Sequence, residues 1–306
     1  MDDGPDRPDS DAGIVLGTNQ YGKAEVRLVR VRRDDPRHEV CDLNVSVALA
    51  GDFAASHESG DNANILPTDT QKNTVYAFAR QYGVDSAEEF GLRLARHFVD
   101  SQPSVHRARV SIEEYAWDRL GPHSFARRGQ EVRTTTVSCD GEGSWVVAGV
   151  TGLILMNTTG SAFAGFIRDG YTTLAETSDR ILATAVTAAW RHTAPPADWH
   201  ASYRSARAAL VDAFVTTFSD SLQQTLHAMG QAVLRGQPDL AEIRLSLPNQ
   251  HHFLVDLTPF ELTNPGEVFL ASDRPYGLIE GTLRRESAPP PGLAWSLAGD
   301  RGDLGA

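Results

Sequence analysis

Val40-Cys41-Asp42-Leu43-Asn44-Val45-Ser46-Val47-Ala48-Leu49 alternates strictly. Cys41, Leu43, Val45, Val47 and Leu49 share one face, and Asn44, Ser46 and Ala48 take the other. That period of two is a half-buried strand, apolar toward a core and polar away from it. A sheet made of such strands is antiparallel and covered on one side. Outward from this stretch, residues 24–33 predict a preceding strand. Residues 70–81 predict a helix with Thr68 to Thr70 as candidate caps. A second helix starts at Ser86, where Ser86-x-x-Glu89 forms a capping box, and runs to about Val99. Strands follow at 105–116 and 131–138.

The second half repeats this order. Residues 144–157 and 161–168 read as strands and 178–192 as a helix. Residues 202–235 read as a long helical stretch broken near Asp220-Ser221. Strands return at 241–247, 251–257, 266–272 and 277–284. Strands, helices and strands, twice over and without strict βαβ alternation, predict an α+β fold with antiparallel pairing. The expected domains are 14–142 and 143–287. Residues 1–13, with five Asp among Pro, Gly and Ser, read as a disordered acidic tail. Residues 288–306 open with Ala288-Pro289-Pro290-Pro291-Gly292 and read as a flexible Pro/Gly-rich tail.

Composition narrows the function. The chain has 306 residues, 41% hydrophobic and 22% charged, enough to bury a core. A net charge of −12 argues against nucleic acid or an anionic membrane as partner. No apolar run approaches a bilayer span, and the acidic start does not resemble a signal peptide, so the expected location is the cytoplasm. Cys41 and Cys139 lack metal-ligand spacing and are expected as buried free thiols.

Of 28 Lys plus Arg only Lys23 and Lys72 are lysine, leaving 26 arginines. A guanidinium stays charged at any working pH, so a base made from a cationic side chain must be Lys or His. Four further segments concentrate polar groups. Asn64 to Thr74 crowds them at a predicted helix N-terminus, which favours an anion; a helix cap explains only part of that crowding. Leu247 to Phe253 puts Asn249, His251 and His252 on an expected strand-to-strand turn, facing a cleft or simply solvent. Adjacent histidines on extended chain point to opposite faces, and no third ligand follows, so no metal is expected. Ser161 to Arg180 mixes aromatics and arginines that suit a flat ligand, or a core and a surface. Ser221-Leu222-Gln223-Gln224-Thr225 offers a glutamine amide to a lactam edge, or to solvent.

Taken in order, these segments resemble the urate oxidase (uricase) family. The matching motifs are Tyr21-Gly22-Lys23, Pro67-Thr68-Asp69-x-x-Lys72-Asn73-Thr74 and Phe163-x-Gly165-Phe166-x-Arg168-Asp169. Tyr171-Thr172-Thr173-Leu174 to Asp179-Arg180, Ser221-Leu222-Gln223-x-Thr225 and Pro248-Asn249-x-His251 complete the set. The resemblance covers about residues 14–285. It implies a tunnelling fold (T-fold): two antiparallel-sheet domains with helices on one face, assembling as a homotetramer around a barrel-like tunnel. It implies active sites between subunits and oxidation of urate by O2 and water to 5-hydroxyisourate and hydrogen peroxide, with no cofactor.

The resemblance also implies roles. Phe163 would stack on the purine, Arg180 and Gln223 would clamp its edges, and the Leu222 backbone would assist. The main chain at Thr68 and Asp69 would reach in from a neighbouring subunit. Asn249 would hold O2 and then water. Lys23, Thr68 and His251 would relay protons; Lys72 receives no catalytic role and is expected to orient its loop or contact the subunit across the interface. The chain ends Leu304-Gly305-Ala306, not in a peroxisomal tripeptide. The alternatives are another tunnelling-fold purine or pterin enzyme, or a non-catalytic purine-binding protein.

Overall fold

A computed structural model describes residues 13–296. The expected tail at 1–13, apart from Gly13, and the last ten residues, 297–306, lie outside the described part. The chain runs β1 (Tyr21–Arg32), β2 (Glu39–Gly51), α1 (Ala54–Glu58), α2 (Thr68–Gln81), α3 (Ala87–Ser101), β3 (Val105–Glu114), β4 (Trp117–Arg119), β5 (Phe125–Arg127) and β6 (Val132–Cys139). It continues β7 (Ser144–Asn157), β8 (Leu182–His192), α4 (Trp199–Thr216), α5 (Leu222–Gly236), β9 (Leu240–Leu254) and β10 (Phe269–Arg284). Eight strands form one antiparallel sheet in the order β1-β2-β3-β6-β7-β8-β9-β10, and β4 pairs only with β5. The sheet is open: β1 and β10 are its edges.

The opening stretch behaves as its alternation demands. Leu43, Val45, Val47 and Leu49 are buried under the first pair of long helices, with Val75, Phe90, Leu94 and Phe98. A second core holds Val150, Val186, Ala188 and Trp190 against Leu210, Phe214, Leu226, Met229 and Val233. The two cores meet on β7, between Val146 and Ala148. Val137 pairs with Val146 and Thr135 with Ala148, so β6 and β7 turn the same face to the helices. All four long helices therefore cover one side of a continuous sheet.

Several expectations need correction. Residues 178–192 do not form a helix; Leu182–His192 is β8, hydrogen-bonded on both sides by β7 and β9. Its alanines suggest a helix, yet Val186, Ala188 and Trp190 alternate toward the core, and sheet pairing overrides local propensity. Residues 161–168 are not a strand; they make only isolated bridges, Ser161 to Ser219 and Phe163 to Thr177. Pro248 to Phe253 is not a turn but the continuation of β9. The cap of α2 is Pro67, with no side-chain cap bond, and not Thr68 to Thr70. Ser86 does cap α3, its hydroxyl accepting from the Glu89 amide at 3.1 Å.

Residues 288–296, expected within a flexible tail, lie across the sheet face opposite the helices. Arg191 donates to the Pro289 carbonyl at 2.9 Å and Arg109 to that of Ser296 at 2.8 Å. Trp295 sits under Arg244 at 4.0 Å, and Ala294 is buried. Both cysteines are free; Cys139 is buried, and burial pushes the half-buried Cys41 thiol up to about 12.

Candidate active site

One cluster forms where β1 begins. Tyr21 ties β1 to the segment before α2: its hydroxyl donates to the Leu66 carbonyl at 3.1 Å and accepts from the Leu66 amide at 2.8 Å. Gly22 packs so closely on β2 that a Cβ there would stand 1.9 Å from the Val47 carbonyl oxygen. Lys23 follows, half-buried and opposite Val47. The register then breaks before Val26, with Glu25 at φ 56° and its amide on the Ser46 hydroxyl at 3.0 Å. A bulge of this kind re-aims the side chains beside it.

Thr68 is the first residue of α2. Pro67 supplies no capping side chain, and among the described residues nothing accepts from the amides of Thr68, Asp69 or Thr70. Those free N–H groups, at the positive end of a 14-residue helix, suit an anion. Lys72 bonds one oxygen of Asp69, and Asn73 donates to the other at 2.9 Å. The Lys72 hydrogen bond, then that of Asn73, hold the Asp69 carboxyl below the usual carboxylate range, and the charge of Lys23 adds to this.

The second cluster forms at the N-termini of α5 and β8. Ser161, Ser219 and Thr225 are fully buried. Thr225 donates to the Ser219 hydroxyl at 2.8 Å, which donates to the Ser221 carbonyl at 3.0 Å. The Ala162 amide reaches the Ser219 carbonyl at 2.8 Å. This buried knot fixes the Phe163 loop beside the start of α5. Ser221 caps α5 through the Gln224 amide, leaving the Leu222 and Gln223 amides without a partner among the described residues. Gln223 is exposed while Leu222 anchors in the core.

Arg180 lies 5.2 Å from the Phe163 ring and donates to the Ser161 hydroxyl at 3.3 Å. Burial lowers its pKa, but a guanidinium remains a cation at any working pH. Asn249 lies on β9 between Thr184 of β8 and Gly277 of β10. His251, two residues on, shares its face. The β9–β10 register breaks here, between His251–Ser272 and Asn249–Gly277. Each cluster therefore adjoins a register break on an edge strand.

The structure brings Lys23, Thr68 and Asp69 together, and places Phe163, Arg180, Leu222, Gln223, Asn249 and His251 at the other end of the sheet. It does not join the two groups. Six strand spacings of about 4.8 Å separate β1 from β9, on the order of 25–30 Å.

Two motif clusters with these residues in this order bear directly on ancestry. The sequence profile of the family described as Uricase matches residues 19–138 and 146–280. A uricase of Arthrobacter globiformis is 53% identical over 285 residues, covering 92% of this chain and 94% of that protein. The chain belongs to the uricase family. Its fold is the T-fold of that family, and it is a urate oxidase, an oxidoreductase. A uricase of Dictyostelium discoideum is 38% identical over 281 residues, covering 89% of this chain and 98% of that one. The crystal structure of the Arthrobacter globiformis uricase superposes with a TM-score of 0.89 at 53% identity, covering 91% of this chain and 98% of the other.

Sequence reasoning missed the supports of the candidate site. Ser219 looks ordinary in the sequence, and Tyr21 and Thr225 enter it only as motif members; their supporting roles arise from burial and long-range bonds. Thr184 was equally hidden: it is fully buried opposite Asn249, with its hydroxyl unpaired. Among the described residues no three His, Cys, Asp or Glu side chains are grouped to hold a metal ion, and no helix is long and apolar enough to cross a membrane.

Proposed function

We propose that this uricase oxidises urate with O2 and water to 5-hydroxyisourate and hydrogen peroxide, without a cofactor, at sites completed by a second copy of the chain. The carrying observation is the division of the site into two clusters on opposite edges of one sheet. One supplies a lysine, a hydroxyl and an open helix N-terminus. The other supplies an aromatic face, a guanidinium, an amide, Asn249 and His251. Neither holds a complete set of groups for proton removal, clamping and O2 binding.

In this mechanism Phe163 stacks on urate while Arg180 and Gln223 grip opposite edges, with the Leu222 amide beside them. The partner copy's helix N-terminus, through the Thr68 and Asp69 main chain, meets the anion. A urate N–H proton passes to the Thr68 oxygen as the Thr68 hydroxyl proton passes to the Lys23 amine. That leaves an ammonium and an electron-rich purine anion. The anion gives two electrons to O2 held at Asn249. Water then adds at the oxidised carbon, His251 takes up its proton, and peroxide leaves with the two protons that Lys23 and His251 had taken up. The clamp supplies orientation, since a planar ligand held at both edges and one face has little freedom left.

Residues 14–142 and 143–287 are the two T-fold domains of this proposal. A homotetramer whose sheets close around a tunnel is its assembly, and the cytoplasm its place of action. Removal of exposed edges by closure supports that assembly.

The test is complementation. Lys23→Met and Arg180→Ala each spoil a different cluster. Mixed and reassembled in equal amounts, they should regain about a quarter of wild-type turnover, because half of random pairs are mixed and each mixed pair holds one intact site. Turnover is read as loss of urate absorbance with O2 uptake and peroxide release in metal-free buffer. A mixture no more active than its components would overturn the shared site. Wild-type-like turnover in Lys23→Met alone would overturn the relay.

A further inference from the structure

Lys72 has no place in the relay, yet its side chain occupies one oxygen of Asp69, while Asn73 occupies the other at 2.9 Å. Spacings of three and four residues put both donors on the helix face of Asp69, one turn into α2. Asp69 follows Thr68 directly, and the two hydrogen bonds of Tyr21 to Leu66 hold the start of β1, with Lys23, against this segment, where the Lys23 charge acts on the carboxylate. The groups acting on Asp69 are thus Lys72 and Asn73 on its own helix and Lys23 on β1; on Lys72 they are Asp69 and Tyr76. The neighbouring strand β2 places uncharged Val47 opposite Lys23.

This arrangement matters because an uncommitted carboxylate beside Lys23 would work against the chemistry. It would hold the lysine as an ammonium, and an ammonium cannot accept the Thr68 proton. We infer that Lys72 is a positioning residue that ties down Asp69 and so keeps Lys23 available as a neutral base. The inference rests on the relay proposed above. Arginine would serve nearly as well, since only a cation is needed to engage the carboxylate. A neutral side chain would not serve.

The sign is the same for both consequences of losing Lys72. A cation disappears from the neighbourhood of Lys23, and an anion is released toward it. Both favour the ammonium, so a higher pH is needed to free the base. Lys72→Met should move the acid limb of the kcat profile upward by up to about one pH unit, the order expected when one neighbouring charge changes near a surface. Turnover below the limb should fall by up to about tenfold and recover at high pH, with KM for urate little changed. Lys72→Arg should keep the wild-type limb. Adding Asp69→Asn to Lys72→Met, which keeps the main chain but removes the carboxylate, should move the limb back down.

A fall in kcat equal at every pH, or a rise in KM with an unmoved limb, would assign Lys72 a structural role only and overturn the inference. So would a limb that Asp69→Asn fails to restore. Lys23→Met, measured alongside, keeps the two readings separate. If it retains turnover, the relay itself fails. If it is inactive while Lys72→Met keeps the wild-type profile, only the positioning role fails.

Discussion

Replacing Arg133 by Met removes the central member of a buried polar cluster that crosses from one half of the chain to the other. Arg133 on β6 is 7% exposed, and Glu88 on α3 is fully buried. One guanidinium nitrogen meets both Glu88 oxygens, at 2.8 and 2.7 Å, and Thr135 donates to the same carboxylate at 3.1 Å. From the second half, α4 contributes His200, whose Nδ1 lies 2.8 Å from Arg133, and the Tyr203 ring 4.5 Å below the guanidinium. Arginine can only donate, so His200 Nδ1 accepts. Its Nε2 then carries the proton and donates to the Asp85 carbonyl at 2.7 Å.

The magnitude follows from what the substitution leaves behind. Met fills much of the volume, but the fully buried Glu88 carboxyl loses its cation, and so does Glu114, 3.4 Å from the other guanidinium nitrogen. Orphaning one member of a buried pair costs about 3–5 kcal/mol. For a chain of this length, unfolding entropy near the midpoint is about 0.6 kcal/mol per degree, so Tm should fall by about 5–8 °C. Calorimetry at matched scan rates and protein concentration reads this directly. The double variant Arg133→Met/Glu88→Leu should recover much of the loss, because the fully buried charge is gone and only the more exposed Glu114 still lacks its cation. A single variant losing under about 1 kcal/mol would refute the reasoning. So would a double variant no better than the single, which would put the cost in lost packing and not in an orphaned charge.

Three further outcomes are expected. His192 is buried against Trp199, and burial, helped by Arg133, lowers its pKa to about 4. The unfolded chain then binds more protons between pH 6.5 and 4. Stability should fall as pH drops through that window, by on the order of 3 kcal/mol, and His192→Phe should flatten this part of an unfolding titration. Gly22→Ala would put a methyl against the Val47 carbonyl; chemical denaturation should show a loss of about 1–3 kcal/mol, and turnover should drop with it because Lys23 is the next residue. Arg180→Ala should raise the apparent Kd for a urate analogue by about 30- to 1000-fold, the usual effect of deleting a charged hydrogen-bonding partner, and calorimetric titration showing unchanged affinity would remove the clamp.

The parts legible in the sequence are those whose local pattern and tertiary role agree. Leu43, Val45, Val47 and Leu49 alternate because they line a core, and Ser86 precedes a helix because its hydroxyl caps one. Misreadings fall where tertiary structure decides. Four alanines within 182–192 are weak witnesses to a strand, since Ala suits a helix as well; only β7 and β9 on either side make β8 what it is. Pro248-Asn249 carries turn chemistry, but it sits in a strand beside the register break at Gly277. Candidate site residues were legible as motifs, and the resemblance already set Thr68 and Asp69 apart from the rest; the grouping of Lys23 with them was not legible. That grouping depends on which strands neighbour each other, a long-range fact no local pattern contains.

The two register breaks give the split site a physical rationale. A regular edge strand offers a row of free N–H and C=O groups at constant spacing, open to any passing strand. β1 and β10 both interrupt that row, after Lys23 and between Ser272 and Gly277. A bulge on an edge discourages indiscriminate pairing and also turns nearby side chains out of the regular pleat. At β1 that side chain is Lys23; at the β9–β10 pair it is Asn249 and His251. The same irregularity can therefore limit which partner an edge accepts and present half a site to the partner it does accept. Under the proposed assembly, removing the break at β1 should impair pairing and turnover together. Deleting Ala24 would restore register at the cost of the bulge, leaving the core residues Val26 and Leu28 still facing the helices. Size-exclusion chromatography beside the turnover assay would separate the cases. Loss of turnover in a variant with unchanged assembly would limit the bulge to aiming Lys23, and loss of neither would deny it both roles.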